Sequence, residues 1–175
     1  RKELSKYPAH YIFAIDVSGT MNQYEDMVVN SIVPFFSALP DGDRVDIIPF
    51  GTEALSPMSY SGIIDSQIRN TLCQNIGRLY NDPSYPDGFK GYTNIQGAIE
   101  ELSKVLQKNR EYRVNGMVVL TDFRNDVKGD KPSEHKFTEE QLNKMNELVK
   151  AATNDTYTRS IALELPVDKT KPGYC

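Results

Sequence analysis

The sequence predicts an α/β domain of three layers: an open, mostly parallel sheet with helices on both faces and an antiparallel hairpin at one edge. Three observations carry this reading. Residues 11–15 and 116–121 are short continuous apolar runs, the pattern of parallel strands covered on both sides. Amphipathic stretches of helical period separate such runs. Residues 44–60 hold two strand-like runs with only Gly51 and Thr52 between them, too little chain for a crossover helix.

The elements follow in order. After strand 11–15, a helix over 24–39 places Tyr24, Val28, Ile32, Phe35 and Leu39 on one face, and Pro34 should kink or divide it. The runs 44–50 and 53–60 form the hairpin, with Pro57 on an exposed edge and Pro49 at a strand end. Ile64, Ile68, Leu72 and Ile76 repeat every four residues as a second helix. Ile95, Ala98, Ile99, Leu102, Val105 and Leu106 form the cleanest stripe, opposite a solvated face of Glu100, Glu101, Lys104 and Lys108. Strand 116–121 follows. The last helix starts at Thr138, where Thr138 and Gln141 make a capping box and Phe137 can staple onto Leu142. Met145, Leu148, Val149 and Ala152 complete its buried face, and a weaker strand runs from 161 to near Leu165. The order is β-α-β-β-α-α-β-α-β.

At 175 residues the chain is one domain, 1–175, with its core over about 10–165 and a tail, or the start of a further segment, at 166–175. A net charge of −4 argues against binding a phosphate backbone or anchoring through a polybasic patch, so nucleic acid is not an expected partner. No apolar run approaches the roughly 20 residues of a spanning helix, so direct membrane insertion is not expected either. Cys73 and Cys175 are too few for a disulfide framework or a zinc cluster; they either pair with each other, or the terminal thiol marks a cut in a longer chain. Arg1 in place of Met reads as a processed product or an excised fragment.

Open parallel sheets bind ligands outside the carboxyl ends of their strands. Directly after the first strand stand Asp16, Val17, Ser18, Gly19 and Thr20. Asp122 follows strand 116–121, and Gly91, Tyr92, Thr93 and Asn94 precede the cleanest helix. Three loops thus bring two carboxylates and three hydroxyls to one edge. Oxygen-only ligation suits a hard cation, Mg²⁺ before Mn²⁺ or Ca²⁺, and is wrong for zinc. The alternation Asp16, Ser18, Thr20 aims three side chains at one point, and Gly19 relieves crowding beside an ion. Each piece alone has a bland reading: residues 16–20 and Thr93 or Asn94 as helix caps, Asp122 as a common strand-end carboxylate. Their coincidence at one edge favours the metal site.

On these residues the chain resembles a von Willebrand factor type A domain (vWA, Rossmann-like) with a metal-ion-dependent adhesion site. That family's motif is Asp-x-Ser-x-Ser/Thr, then a Thr, then an Asp, and it falls here on Asp16, Ser18, Thr20, Thr93 and Asp122. The resemblance covers roughly residues 10–165. It implies hydroxyl ligands from Ser18, Thr20 and Thr93, with Asp16 and Asp122 binding directly or through waters. It also implies a partner protein whose Asp or Glu carboxylate completes the shell of a bound Mg²⁺, with no catalysis. The expected setting is extracellular, cell-surface or periplasmic, with a cytoplasmic one left open. Two departures stand out. The family commonly has Gly where Phe123 stands, and it usually finishes with another helix and strand after the position of Leu165. Without them one sheet face and edge stay open.

Partner choice should come from the rim. Tyr85, Phe89 and Tyr92, with Tyr80, lie in the loop leading to Thr93, and Phe123 lies beyond Asp122. These aromatics either anchor a partner or pack the loops onto the domain. Asp126 and Asp130 are spaced unlike a calcium loop, and His10 and His135 stand alone. A different reading is a phosphatase resembling the haloacid dehalogenase group, using Asp16 as nucleophile. There Ser18 replaces the second Asp, the general acid and base. A third is an interaction scaffold that holds no metal.

Overall fold

The computed structural model describes residues 7–127, 129, 136–165 and 170. Five strands form one sheet in the order β3-β2-β1-β4-β5. The central strand β1 (Ala9–Asp16) pairs in parallel with β2 (Arg44–Phe50) and β4 (Val114–Thr121). β5 (Tyr157–Glu164) adds in parallel to β4, and the two-residue β3 (Gly62–Ile63) is antiparallel to β2. The helices are α1 (Glu25–Ala38), α2 (Ser66–Asn75), α3 (Ile95–Lys108) and α4 (Glu139–Thr153). The mostly parallel three-layer architecture expected from the sequence is therefore present.

Alternation along β1 builds both cores. Phe13 and Ile15 pack with Val28, Ile32 and Phe36 of α1 and Leu72 of α2. Ile12 and Ala14 pack with Ala98, Leu102 and Leu106 of α3 and Ala152 of α4. Each fully buried aliphatic side chain contributes about 1.5–3 kcal/mol, so these stripes fix which helix lies on which face. The α3 and α4 starts follow the sequence chemistry. Asn94 caps α3 by accepting from Gly97 N at 2.8 Å, and Thr138 with Gln141 forms the capping box on α4.

Several expectations need correction. The second run of the hairpin is not a strand: it makes a single bridge, Phe50 with Ala54, and the antiparallel edge is Gly62–Ile63, paired to Arg44 and Val45. Pro57 has no N–H for a ladder; Met58 N and Ser61 Oγ instead bond Ile47, at 2.8 and 3.0 Å. Ile64 precedes α2, which Asp65 caps by accepting from Ile68 N. In α1, Phe36 takes the buried position and Phe35 is exposed, and the helix runs through Pro34 undivided. Pro34, which has no N–H to give the Asn30 carbonyl, and Asn30 both lie on the exposed side, where that carbonyl is open to solvent. Leu142 is exposed, while Phe137 packs onto the α3 side. Cys175, Asp130 and His135 lie outside the described residues; Cys73 is a free thiol, partly buried.

Among the described residues no helix covers the β4–β5 end of the α1 face. Met27, Phe35, Ile161 and Leu163 are exposed there, along a groove of about 450 Å³ also lined by Tyr11, Phe13 and Val118. No helix among the described residues is long and apolar enough to cross a membrane.

Candidate metal centre

The parallel pairing puts the carboxyl ends of β1, β2 and β4 at one edge of the sheet. Asp16 ends β1 and Thr121 ends β4, one residue before Asp122. Both Asp16 oxygens are engaged: Oδ1 accepts from Ser18 N at 2.9 Å, and Oδ2 accepts from Thr121 Oγ1 at 2.7 Å. Asp16 is fully buried. Burial pushes its carboxyl up to about 6; the hydrogen bonds from Ser18 and Thr121 pull it down without cancelling this, and the Asp122 charge adds to the rise. Asp122 is held by an Arg124 N bond to its Oδ1 at 3.0 Å, and burial raises its pKa also, against the Arg124 charge.

A backbone network joins the three loops through the end of β2. Val17 N donates to Phe50 O at 2.9 Å, Asn94 N to Gly51 O at 2.7 Å, and Thr52 N to Phe89 O at 2.8 Å. Thr93 and Asp126 then bond each other through both backbone pairs, Thr93 N to Asp126 O at 2.7 Å and Asp126 N to Thr93 O at 2.9 Å. The first ties the 16–18 turn to β2, the second and third tie the Thr93 loop to β2, and the last ties it to the loop after Asp122. Gly51 is required at this crossing. A Cβ there would lie 2.2 Å from the Phe89 carbonyl oxygen. Thr20 sits in the 3-10 turn Gly19–Tyr24, closed by Met21 N donating to Ser18 O at 2.9 Å.

The hydroxyls differ from ordinary buried ones. Ser18 Oγ is buried against the Asp16 carboxylate, whose pKa it helps to lower, yet it makes no hydrogen bond of good geometry, an unusual cost in a folded chain unless something else bonds it. Thr93 is also buried, at 7% exposure. Among the described residues no three His, Cys, Asp or Glu side chains cluster, so an ion at this edge would have to be held by the two carboxylates together with hydroxyls. Such hard oxygen donors fit a hard dication, and with the carboxylates acting through water the neutral hydroxyls bonded to the ion would leave most of its charge unneutralised.

The rim aromatics divide. Phe89 is buried in the α1-side core, and Tyr85 packs against it at 4.7 Å between ring centroids, its hydroxyl donating to Leu79 O. For these two the packing alternative holds. Tyr92 and Phe123 are half-buried. Phe123 adopts φ 56, the left-handed region that favours glycine, and its side chain packs on the α3-side core. The departure from the family's Gly is thus accommodated by a strained backbone. Tyr80, named with the rim aromatics in the sequence, packs inward instead. Its ring is fully buried, its hydroxyl has no partner, and burial followed by the nearby Asp16 charge raises its pKa.

A mostly parallel sheet with helices on both faces defines an open-sheet α/β domain, with Asp16 and Asp122 at its carboxyl edge, and sequence comparison identifies which. The pattern described as von Willebrand factor type A domain matches residues 11–125, so the chain belongs to that family. No curated protein matches the chain. Among solved structures, it is similar to the von Willebrand factor type A protein from Catenulispora acidiphila, with TM-score 0.65 and 15% identity over 89% of this chain and 33% of the other. It is similar to the PilB minor pilin from Streptococcus sanguinis, with TM-score 0.59 and 12% identity over 91% of this chain and 58% of the other. It also resembles three N-terminal domains of the type V pili tip protein Mfa5 from Porphyromonas gingivalis, with TM-score 0.51 and 16% identity over 73% and 23%. The chain therefore spans a third, somewhat over half, and a quarter of these proteins.

Proposed function

We propose that this domain is a divalent-cation-dependent protein-binding module of the adhesion type. Ser18, Thr20 and Thr93 would hold a Mg²⁺ through their hydroxyls, and Asp16 and Asp122 would hold it directly or through water. Mn²⁺ or Ca²⁺ would serve the same donors less well or in a looser geometry. When bound, the ion supplies Lewis acidity toward a partner's Asp or Glu carboxylate. The chain's own residues do the rest. Thr121 and the Ser18 amide keep the Asp16 carboxylate oriented, and the Gly51 crossing holds the Thr93 loop in place.

The observation that carries this reading is the Ser18 hydroxyl, buried without a well-formed hydrogen bond beside a locked, desolvated Asp16 whose pKa it helps to lower. Family membership supports an interaction module, and similarity to a minor pilin and a pilus tip protein supports an extracellular or surface setting. The phosphatase reading would need a carboxylate where Ser18 stands.

Calorimetric titration of Mg²⁺ into the chain tests the proposal. Saturable binding that disappears in Asp16→Ala and Thr93→Ala supports it. Silence in the wild type returns the metal-free scaffold, and binding undiminished in both variants places the ion elsewhere.

A further inference from the structure

We propose that Lys90 is a positioning residue for the metal centre, its ammonium fixing the spacing between the Thr20 turn and the Thr93 loop. This rests on the reading of that edge as a Mg²⁺ site. Lys90 lies in the 3-10 turn Phe89–Gly91, three residues before Thr93. Its Nζ donates to Asn22 Oδ1 at 2.6 Å, to the Tyr80 carbonyl at 2.6 Å and to Asn81 Oδ1 at 3.1 Å. An ammonium has three N–H donors, and all three are spent.

The acceptors are neutral amide oxygens from two other segments. Asn22 belongs to the same 3-10 turn as Thr20, and Gln23 of that turn donates back to Thr20 O at 2.8 Å. Tyr80 and Asn81 end the turn Ile76–Asn81, and Asn81 Nδ2 continues the chain to Glu25 Oε2 at 3.1 Å, at the start of α1. A charged group whose three direct acceptors are neutral, with the Glu25 carboxylate attracting it only from beyond direct contact, is poorly explained as an ion pair. It is well explained as a clamp, because three oxygens approaching one point need a compact tetrahedral donor. Burial lowers the Lys90 pKa, the sign of a partly desolvated ammonium.

The consequence for the centre is geometric. The backbone network fixes the 16–18 turn and the Thr93 loop to β2, but Thr20 stands beyond the Val17 tie. Lys90 supplies a direct bond from the Thr93 loop to Thr20's own turn. Small-cation sites such as those for Mg²⁺ demand near-ideal octahedral placement, so a looser Thr20 lowers affinity.

The test is Mg²⁺ calorimetry on the whole chain for the wild type, Lys90→Met, Asn22→Ala and the double variant, with apo thermal unfolding alongside. The expected result is a Kd weakened at least about tenfold in each single variant, the range seen when groups supporting metal ligands are removed. The double variant should be no weaker than Lys90→Met, because the Asn22 contact is already lost when Lys90 is replaced. A lowered Tm with an unchanged Kd makes Lys90 a loop staple and overturns the proposal. A tighter Kd overturns it too, since repulsion between ammonium and dication would then dominate. Asn22→Ala removes one acceptor of three and keeps the question answerable if Lys90→Met fails to fold. A wild type that binds no Mg²⁺ overturns the site itself, an outcome distinct from binding that ignores Lys90.

Discussion

Thr121 Oγ1 donates a 2.7 Å hydrogen bond to Asp16 Oδ2, joining residues 105 positions apart at the carboxyl ends of adjacent strands. It is the side-chain link that makes the first and third motif loops one structure. It also orients a carboxylate that burial would otherwise protonate near neutrality. Thr121→Val keeps shape and removes the donor. Unfolding in urea should show a loss of about 1.5–3 kcal/mol, the range for a hydrogen bond to a charged group. No change in the midpoint would mean the bond is not formed in solution.

Ser18→Ala should behave oppositely. Its hydroxyl makes no well-formed hydrogen bond in the protein and only helps to lower the pKa of the adjacent Asp16, so its removal costs the apo fold little. The stabilisation by Mg²⁺ should shrink sharply in the same variant. A destabilised apo protein with an intact Mg²⁺ response would reverse the assignment of this side chain.

The pH dependence has a definite sign. Asp16 titrates at about 6 in the fold against an ordinary 3.8, so the folded apo protein holds the proton more tightly than the unfolded chain. Its ionised carboxylate therefore costs stability at pH 7, and that cost disappears as pH falls through 6 toward 3.8. Bound Mg²⁺ competes with that proton. The rise in Tm caused by saturating Mg²⁺ should be larger at pH 7.5 than at pH 5.5, measured by differential scanning fluorimetry. Equal shifts at the two pH values would contradict this account.

Gly51→Ala places a methyl 2.2 Å from the Phe89 carbonyl, which is backbone and also accepts from Thr52 N. Overpacking of this kind costs about 1–3 kcal/mol, and here the shift moves the Thr93 loop. Thermal unfolding should show the loss, and Mg²⁺ affinity should fall with it. A neutral substitution would show that the loop crossing is looser than it looks.

Much of this was legible in the sequence because it depends on local pattern. Two-sided apolar runs marked β1 and β4, the α3 stripe marked its buried face, and Thr138 with Gln141 announced the α4 start. The motif positions were legible for the same reason: the strand-to-loop boundaries at Asp16 and Asp122 follow from where apolar runs stop. What escaped depends on long-range meetings. His10 looked isolated, yet its Nε2 sits 2.6 Å from Asp46 Oδ2, with Arg44 Nε at 2.7 Å from the same oxygen, all gathered by the register of β1 against β2. The Lys90 clamp joins segments 68 residues apart, and no periodicity encodes it. Phe35 and Phe36 are adjacent and equally apolar, so helical phase alone could not choose between them. The aromatic loop hid its buried rings, because Phe89 and Tyr85 read identically whether they face a partner or the core.

The most direct test of the account is a crystal grown with Mn²⁺ and imaged by anomalous scattering, since Mn²⁺ stands in for Mg²⁺ at oxygen donors. The account predicts one strong peak within bonding distance of the Ser18, Thr20 and Thr93 hydroxyls, with Asp16 and Asp122 beside it. A fully occupied peak elsewhere on the molecule, or none at the carboxyl edge at saturating Mn²⁺, would contradict it.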